Sequence, residues 1–172
     1  EYVAGGATSA KGGGIDAATK AASYRTIIRL LRGVNAKMSN GQNSADVVGR
    51  FFDAFNAGDI DAAFATLSPD IEWIYYGPED KIPFAGTFRG HAGVKEFFAR
   101  AEKSIQIKEM TPLSLVGIGN QVYGRGIEHS MSLATGRDYR VQWTHVYQVQ
   151  DGLMTRFEEF IDTATVADCL NG

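Results

Sequence analysis

Cysteine occurs once in the 172 residues, at position 169, so no disulfide can close within the chain, and that scarcity fits a reducing compartment. No apolar run approaches the roughly 20 residues a membrane-spanning helix needs, and no charged-then-apolar signal segment stands at the front. A soluble, cytoplasmic protein with no membrane partner is the resulting expectation. Clustered lysines and arginines are missing from the main body, which argues against nucleic acid as a partner. The three histidines, His91, His129 and His145, show neither an HxH nor an HExxH spacing, so no metal site is expected. Cys169 has no histidine near it in sequence, which disfavours a thiol nucleophile. The glycines of GIGNQVYGRG, residues 117–126, carry hairpin spacing rather than that of a phosphate cradle. No cofactor is expected.

What is present is a globular composition, 44% apolar and 11% aromatic, at a length that suits one domain with a real core. The formal charge of −3 is uneven: residues 1–37 hold six basic and two acidic residues, leaving the remainder at −7. Those first 37 residues are rich in Gly and Ala and read as a linker, tag or upstream extension, with the domain itself over 38–172. A rival reading takes the basic stretch from Arg25 to Arg32 as part of an organelle transit peptide.

Beyond the extension the pattern is helical from Ser44, with Ser44 or Asp46 placed to cap and Val48, Phe51, Phe52 and Phe55 along one stripe. Gly58 ends that helix and Asp59 caps a second, whose apolar stripe is Ile60, Ala63, Phe64 and Leu67. Ser68-Pro69-Asp70 reads as its stop, followed by a strand over Ile71 to Tyr76 and a short strand at 84–88. A third helix is expected from about His91 to Lys103. Thereafter the chain is all strand: 105–117, with a bulge or sheet edge at Pro112, then 121–133, then Tyr139 to Gln150. Asp151-Gly152 is a hairpin turn, because both residues tolerate positive φ, and the chain returns over 153–162. On the return strand Leu153, Thr155, Phe157, Glu159 and Ile161 are expected to face the same side as His145. Helices first and antiparallel strands afterwards define an α+β fold with helices covering one face of a bent sheet.

The stretch VVGRFFDAFNAGDIDAAFATLSPDIEWIYYGP (47–78), the FRGHAGVKEFF helix entry (88–98) and the closing HVYQVQDGLMTRFEEFID (145–162) occur in an order that resembles the nuclear transport factor 2-like superfamily, in particular its SnoaL-like and ketosteroid isomerase-related branch. The resemblance covers about residues 44–168. It implies a cone-shaped α+β barrel whose curved antiparallel sheet and helices enclose a pocket, and a homodimer through the outer sheet face. That outer face would carry Arg140, Gln142, Thr144, Val146 and Gln148. Against ketosteroid isomerases, the oxyanion tyrosine, base aspartate and second oxyanion acid fall at Phe51, Tyr75 and His145, so steroid isomerisation itself is not implied. Against limonene epoxide hydrolases, the pocket positions are Trp73, Tyr75, Gly126, Glu128 and Glu159, and the bridging arginine is gone. The SnoaL-type pairing of a pocket histidine with a last-strand acid is matched best, by His145 and Glu159.

Alternation alone leaves open which face of the 121–133 strand turns inward; the superfamily alignment puts Glu128 there, with Gly124 and Gly126 leaving room for a ligand. Glu159, His145, Glu128 and Tyr75 are the expected catalytic group, with Glu159 as general acid or base, His145 its partner and Tyr75 a donor to a developing oxyanion. Trp73, Trp143, Tyr147, Phe51, Phe55 and Phe157 are the expected walls around a small apolar or aromatic molecule. Carboxyls in an apolar cavity lose stability in their ionised form, which suits proton transfer near neutral pH. The expected function is a cofactor-independent acid–base enzyme of isomerase, cyclase, dehydratase or hydrolase type. The alternative is a non-catalytic small-molecule-binding or dimerisation domain, in which His145 and Glu159 would be satisfied by protein groups and the cavity filled.

Overall fold

Stripes of period three to four and alternation of period two sort residues 43–172, the part described in a computed structural model, into four helices and six strands. The extension expected over 1–37, and the domain start at 38, lie outside these residues. Helix α1 runs through 43–56, burying Val47, Val48, Phe51 and Phe52. Ser44 lies inside this helix rather than capping it, and its hydroxyl donates to the Gly119 carbonyl at 3.0 Å. After Gly58, at φ +71°, the Asp59 side chain accepts from the Ala62 amide and caps α2 (Ile60–Phe64).

Helix α2 is shorter than its apolar stripe suggests. Leu67 already belongs to strand β1 (Leu67–Tyr75), where it pairs with Met154, and the Ser68-Pro69-Asp70 segment expected as a break is extended backbone. The β1–β6 register shifts between Leu67 and Glu72, and within that irregular stretch the Asp70 amide donates to the Ser68 hydroxyl at 3.3 Å. Strand β2 (Gly86–Arg89) follows, then α3 (Gly90–Ser104), β3 (Ile105–Ile118), β4 (Gln121–Ser132), β5 (Asp138–Gln150), β6 (Leu153–Ile161) and α4 (Thr163–Asn171). Helix α4 replaces what reads as a plain tail. Asp162 caps it by accepting from Thr165, and Val166, Ala167, Cys169 and Leu170 are buried.

The strands form one curved, unclosed sheet in the order β2-β1-β6-β5-β4-β3, so the fold is α+β as expected. All neighbours pair antiparallel except β1 with β6, which run parallel. Strand β3 lies at the sheet edge and its register shifts at Pro112, the position where a proline is tolerated because no ladder donor is lost from the interior. Asp151 and Gly152 take φ values of +51° and +79° and turn β5 into β6.

One register shift changes the expected inward face. A bulge between Gln148 and Val149 moves the parity of the hairpin, so Met154 is fully buried while Leu153 and Thr155 are only half-buried. Past the bulge the alternation is as expected, with Phe157 and Glu159 inward.

Strand β4 buries Val122, Gly124, Gly126, Glu128, Ser130 and Ser132, which settles the face that alternation leaves open. The glycines do not, however, leave room for a ligand. A Cβ built on Gly126 would stand 2.0 Å from Trp143 Cζ2 and 2.4 Å from the Thr111 carbonyl oxygen. The indole of Trp143 occupies the space. Replacing Gly126 with alanine is therefore expected to destabilise the fold by about 1–3 kcal/mol through overpacking, read as a lower urea midpoint at unchanged m-value.

Candidate active site

Antiparallel register places His145 of β5 directly opposite Glu159 of β6, and the parallel β1–β6 pairing places Tyr75 opposite Glu159 on its other side. One step along, Tyr147, Phe157 and Trp73 form the neighbouring inward row. Three side chains that can exchange protons or hydrogen bonds thus lie in one line across the sheet, bordered by aromatic rings. Glu128, on the next strand over, faces the same cavity.

This cavity is lined by Glu128, His145, Glu159, Tyr75, Tyr147, Trp73 and Phe157 from the sheet, closed by Phe51, Phe52 and Phe55 of α1 and Phe97, Phe98 and Ala101 of α3. Its unfilled volume is ≈ 70 Å³. No lysine or arginine lines it. Of the residues expected at the site, Trp143 alone does not line this space. It lies behind His145, the two rings stacked with centroids 3.9 Å apart. Phe52, Phe84, Phe97, Phe98, Ile105 and Met110 line the cavity without having been expected there. The α3 phenylalanines belong to a stripe visible in the sequence, but periodicity does not say what the stripe covers.

The polar groups divide into those the protein satisfies and those it does not. Glu128 Oε1 accepts from the Ser130 hydroxyl at 2.6 Å and from the Tyr139 hydroxyl at 2.7 Å. Neither partner stands out in the sequence, although Ser130 shares the parity of Glu128 on β4. Burial, then the charge of Glu159, push the Glu128 carboxyl up to about 7, against the lowering effect of those two hydroxyl donors.

His145 Nδ1 lies 2.8 Å from the Tyr147 hydroxyl. Burial, then the charge of Glu159, raises the pKa of Tyr147 and keeps that hydroxyl neutral. A neutral hydroxyl donating to Nδ1 leaves the imidazole proton on Nε2, a tautomer assigned from these partners. Nε2 stands 3.2 Å from Glu159 Oε1, close enough for an ion pair yet off the line of a hydrogen bond. Both atoms are buried and lack a hydrogen-bond partner, as do Nε1 of the cavity-lining Trp73 and Nε1 of Trp143, which does not line the cavity. Tyr75 is likewise held neutral, its pKa raised by burial and then by the charges of Glu159 and Glu128. Buried polar atoms are rarely left unpaired, so a group of them at one cavity marks a place where water or a ligand completes the set. No His, Cys, Asp and Glu cluster among the described residues could hold a metal ion.

A carboxyl whose pKa rises on folding binds protons more tightly folded than unfolded, so its contribution falls as pH rises. The window runs from the ordinary value of 4.5 up to about 7. Across it, Glu128 is expected to cost the fold on the order of 3 kcal/mol. Urea melts of the wild type and of Glu128→Gln through that window should diverge, the wild type losing stability relative to the variant as pH rises.

Comparison with known proteins bears on this geometry. The sequence profile of the SnoaL-like domain matches residues 48–157. Among solved structures, an NTF2-like protein from Burkholderia xenovorans is similar at 30% identity and a TM-score of 0.69, over 76% of this chain and 98% of that one. TerC, co-crystallised with polyporic acid, is similar at 25% identity and a TM-score of 0.67, over 76% of this chain and 99% of that one. An NTF2-like protein from Burkholderia pseudomallei is 23% identical with a TM-score of 0.70, over 76% and 98% of the two chains, a likeness of fold. A comparison with curated proteins gives no match.

Proposed function

The chain belongs to the SnoaL-like domain family, and on that footing we propose that it is an acid–base enzyme, working without a cofactor on a small, largely apolar molecule held in the cavity of the curved sheet. The observation that carries this reading is the pair His145 Nε2 and Glu159 Oε1, 3.2 Å apart, buried and without hydrogen-bond partners, at an apolar cavity that also holds Glu128. A core histidine and glutamate serving only structure would be expected to satisfy each other or a neighbour. Here Nδ1 is satisfied by Tyr147, but the two facing atoms, Nε2 and Oε1, stand at ion-pair distance without completing a hydrogen bond. The co-crystallisation of TerC with polyporic acid adds support for a small organic occupant in a protein of this shape.

The chemistry proposed is proton transfer beside a carbonyl. Glu159 takes a proton from the carbon next to the carbonyl, and the C–H electron pair moves to form the carbon–carbon double bond as the carbonyl electrons move onto oxygen. The neutral Tyr75 hydroxyl donates a hydrogen bond to that oxygen. His145, with its proton on Nε2, steadies the Glu159 carboxylate. Glu128, near half-protonated at neutral pH, is poised to return a proton at a second position. Isomerisation, cyclisation and loss of water all use this step; which follows depends on the groups the substrate carries.

The homodimer through the outer sheet face is part of the same reading. Val116, Tyr123 and Val146 form a row across β3, β4 and β5 on that face, and Val116 and Tyr123 are exposed. Such a row suits burial against a second copy. Tyr123→Glu is expected to shift the protein from dimer to monomer in light scattering; a wild type already monomeric at micromolar concentration would remove the dimer from the reading.

The activity is tested by hydrogen–deuterium exchange at the carbon next to the carbonyl in small aromatic and alicyclic ketones, followed by NMR in heavy water. Exchange is expected for at least one of them and is expected to fall by about 10²- to 10⁴-fold in Glu159→Gln. No exchange with any ketone, together with a higher melting temperature for Glu159→Gln, would favour a binding domain over an enzyme.

A further inference from the structure

The inner cavity is too small for a whole substrate of the kind its walls suit. A benzene-sized molecule occupies an apolar hole of about 150 Å³, and sites for larger ligands run to about 300–1,000 Å³. At ≈ 70 Å³ the cavity admits a head group of a few atoms. Immediately outside it lies an open vestibule of ≈ 730 Å³. The two spaces share Phe51, Phe55, Phe98, Ala101, Ile105 and Ile107 as walls. Phe55 stands between Phe51 and Phe98 in a stack, at centroid distances of 6.0 and 5.5 Å. The same side chains thus wall both spaces.

The vestibule leaves apolar side chains in water. Ile60 is 51% exposed, Leu133 50% and Ile107 40%. Its polar groups are Lys95, Glu102 and Gln106. Lys95 is exposed and its ammonium stands 5.5 Å from the centre of the Phe64 ring. Among the described residues Lys95 pairs with no carboxylate. The vestibule thus holds one cation and one carboxylate, Lys95 and Glu102, whereas inside two carboxyls and no cation face the ligand.

The geometry points to a bipartite substrate: an elongated, flat molecule whose neutral carbonyl head enters the inner cavity, whose apolar body lies in the vestibule, and whose far end is an anion held by Lys95. The head-group assignment rests on the acid–base reading above. The anion cannot sit at the head, because a carboxylate desolvated beside Glu128 and Glu159 gains no counter-charge there. Placed at the mouth, it meets the ammonium of Lys95 and remains hydrated. The body covers Ile60, Ile107 and Leu133, removing apolar surface from water.

The test is calorimetric titration of the full chain with para-acetylphenylbutanoate and with its neutral primary amide, against the wild type, Lys95→Gln, Ala99→Trp and Glu159→Gln. Lys95 and Ala99 are exposed, so neither change threatens the core. The wild type is expected to bind the carboxylate about fivefold tighter than the amide, the size of an exposed ion pair, with the preference shrinking as salt is raised. Lys95→Gln should abolish the preference and leave the amide unchanged; Ala99→Trp, which fills the vestibule, should weaken both. A preference that survives Lys95→Gln, indifference to Ala99→Trp, or no binding of either probe overturns the inference. If Lys95→Gln and Ala99→Trp act as expected while the acetyl protons of the bound probe exchange with heavy water no faster in the wild type than in Glu159→Gln, the vestibule stands and the acid–base reading is what fails.

Discussion

The site depends on the antiparallel pairing of His145 with Glu159. Because the pairing is a matter of register, it is fixed by the turn at Asp151-Gly152 and by the bulge at Gln148 and Val149, not by any attraction between the two side chains. The ladder drives both groups into an apolar interior and holds them there. The parallel strand β1 then brings Tyr75 beside Glu159, and β4 brings Glu128 to the same cavity. None of these groups meets a lysine or arginine there. Desolvation without a counter-charge raises the Glu128 carboxyl and keeps Tyr75, Tyr139 and Tyr147 neutral.

The division between sheet and helices follows from this. The row of buried polar groups His145, Glu159 and Tyr75 sits on strands, where backbone pairing fixes their spacing. The walls that set how much can enter belong largely to α1 and α3, whose phenylalanines pack against one another rather than into a ladder. Family membership accounts for the shape, and the proposed chemistry rests on the particular row His145, Glu159 and Tyr75.

Much of this was legible in the residues because period two and a turn dipeptide survive into three dimensions almost unaltered. The alternation of β5 marks His145 as inward, but the Asp151-Gly152 turn alone would set Glu158 opposite it; the bulge at Gln148 and Val149 supplies the step that puts Glu159 there. What could not be read were events that depend on partners distant in sequence. Leu67 looks helical until Met154 claims it for a strand, and the bulge that buries Met154 has no local signature. Gly126 looks like an opening for a ligand, yet it is the notch into which Trp143 leans. The hydroxyls on Glu128 come from Ser130, on its own strand, and from Tyr139 across the turn, so the second emerges only when β4 and β5 are set side by side. Helix α4 shows a capping aspartate and an apolar stripe that are easily passed over in so short a segment.

The chain contains two tryptophans, and both belong to this small region. Trp73 forms part of the cavity wall, with its ring 3.9 Å from that of Phe157, and Trp143 lies flat against His145. The indole emission of the protein therefore originates at the site and nowhere else. The colour and brightness of the untouched protein thus report on whatever enters beside these rings. The molecule carries its own optical probe.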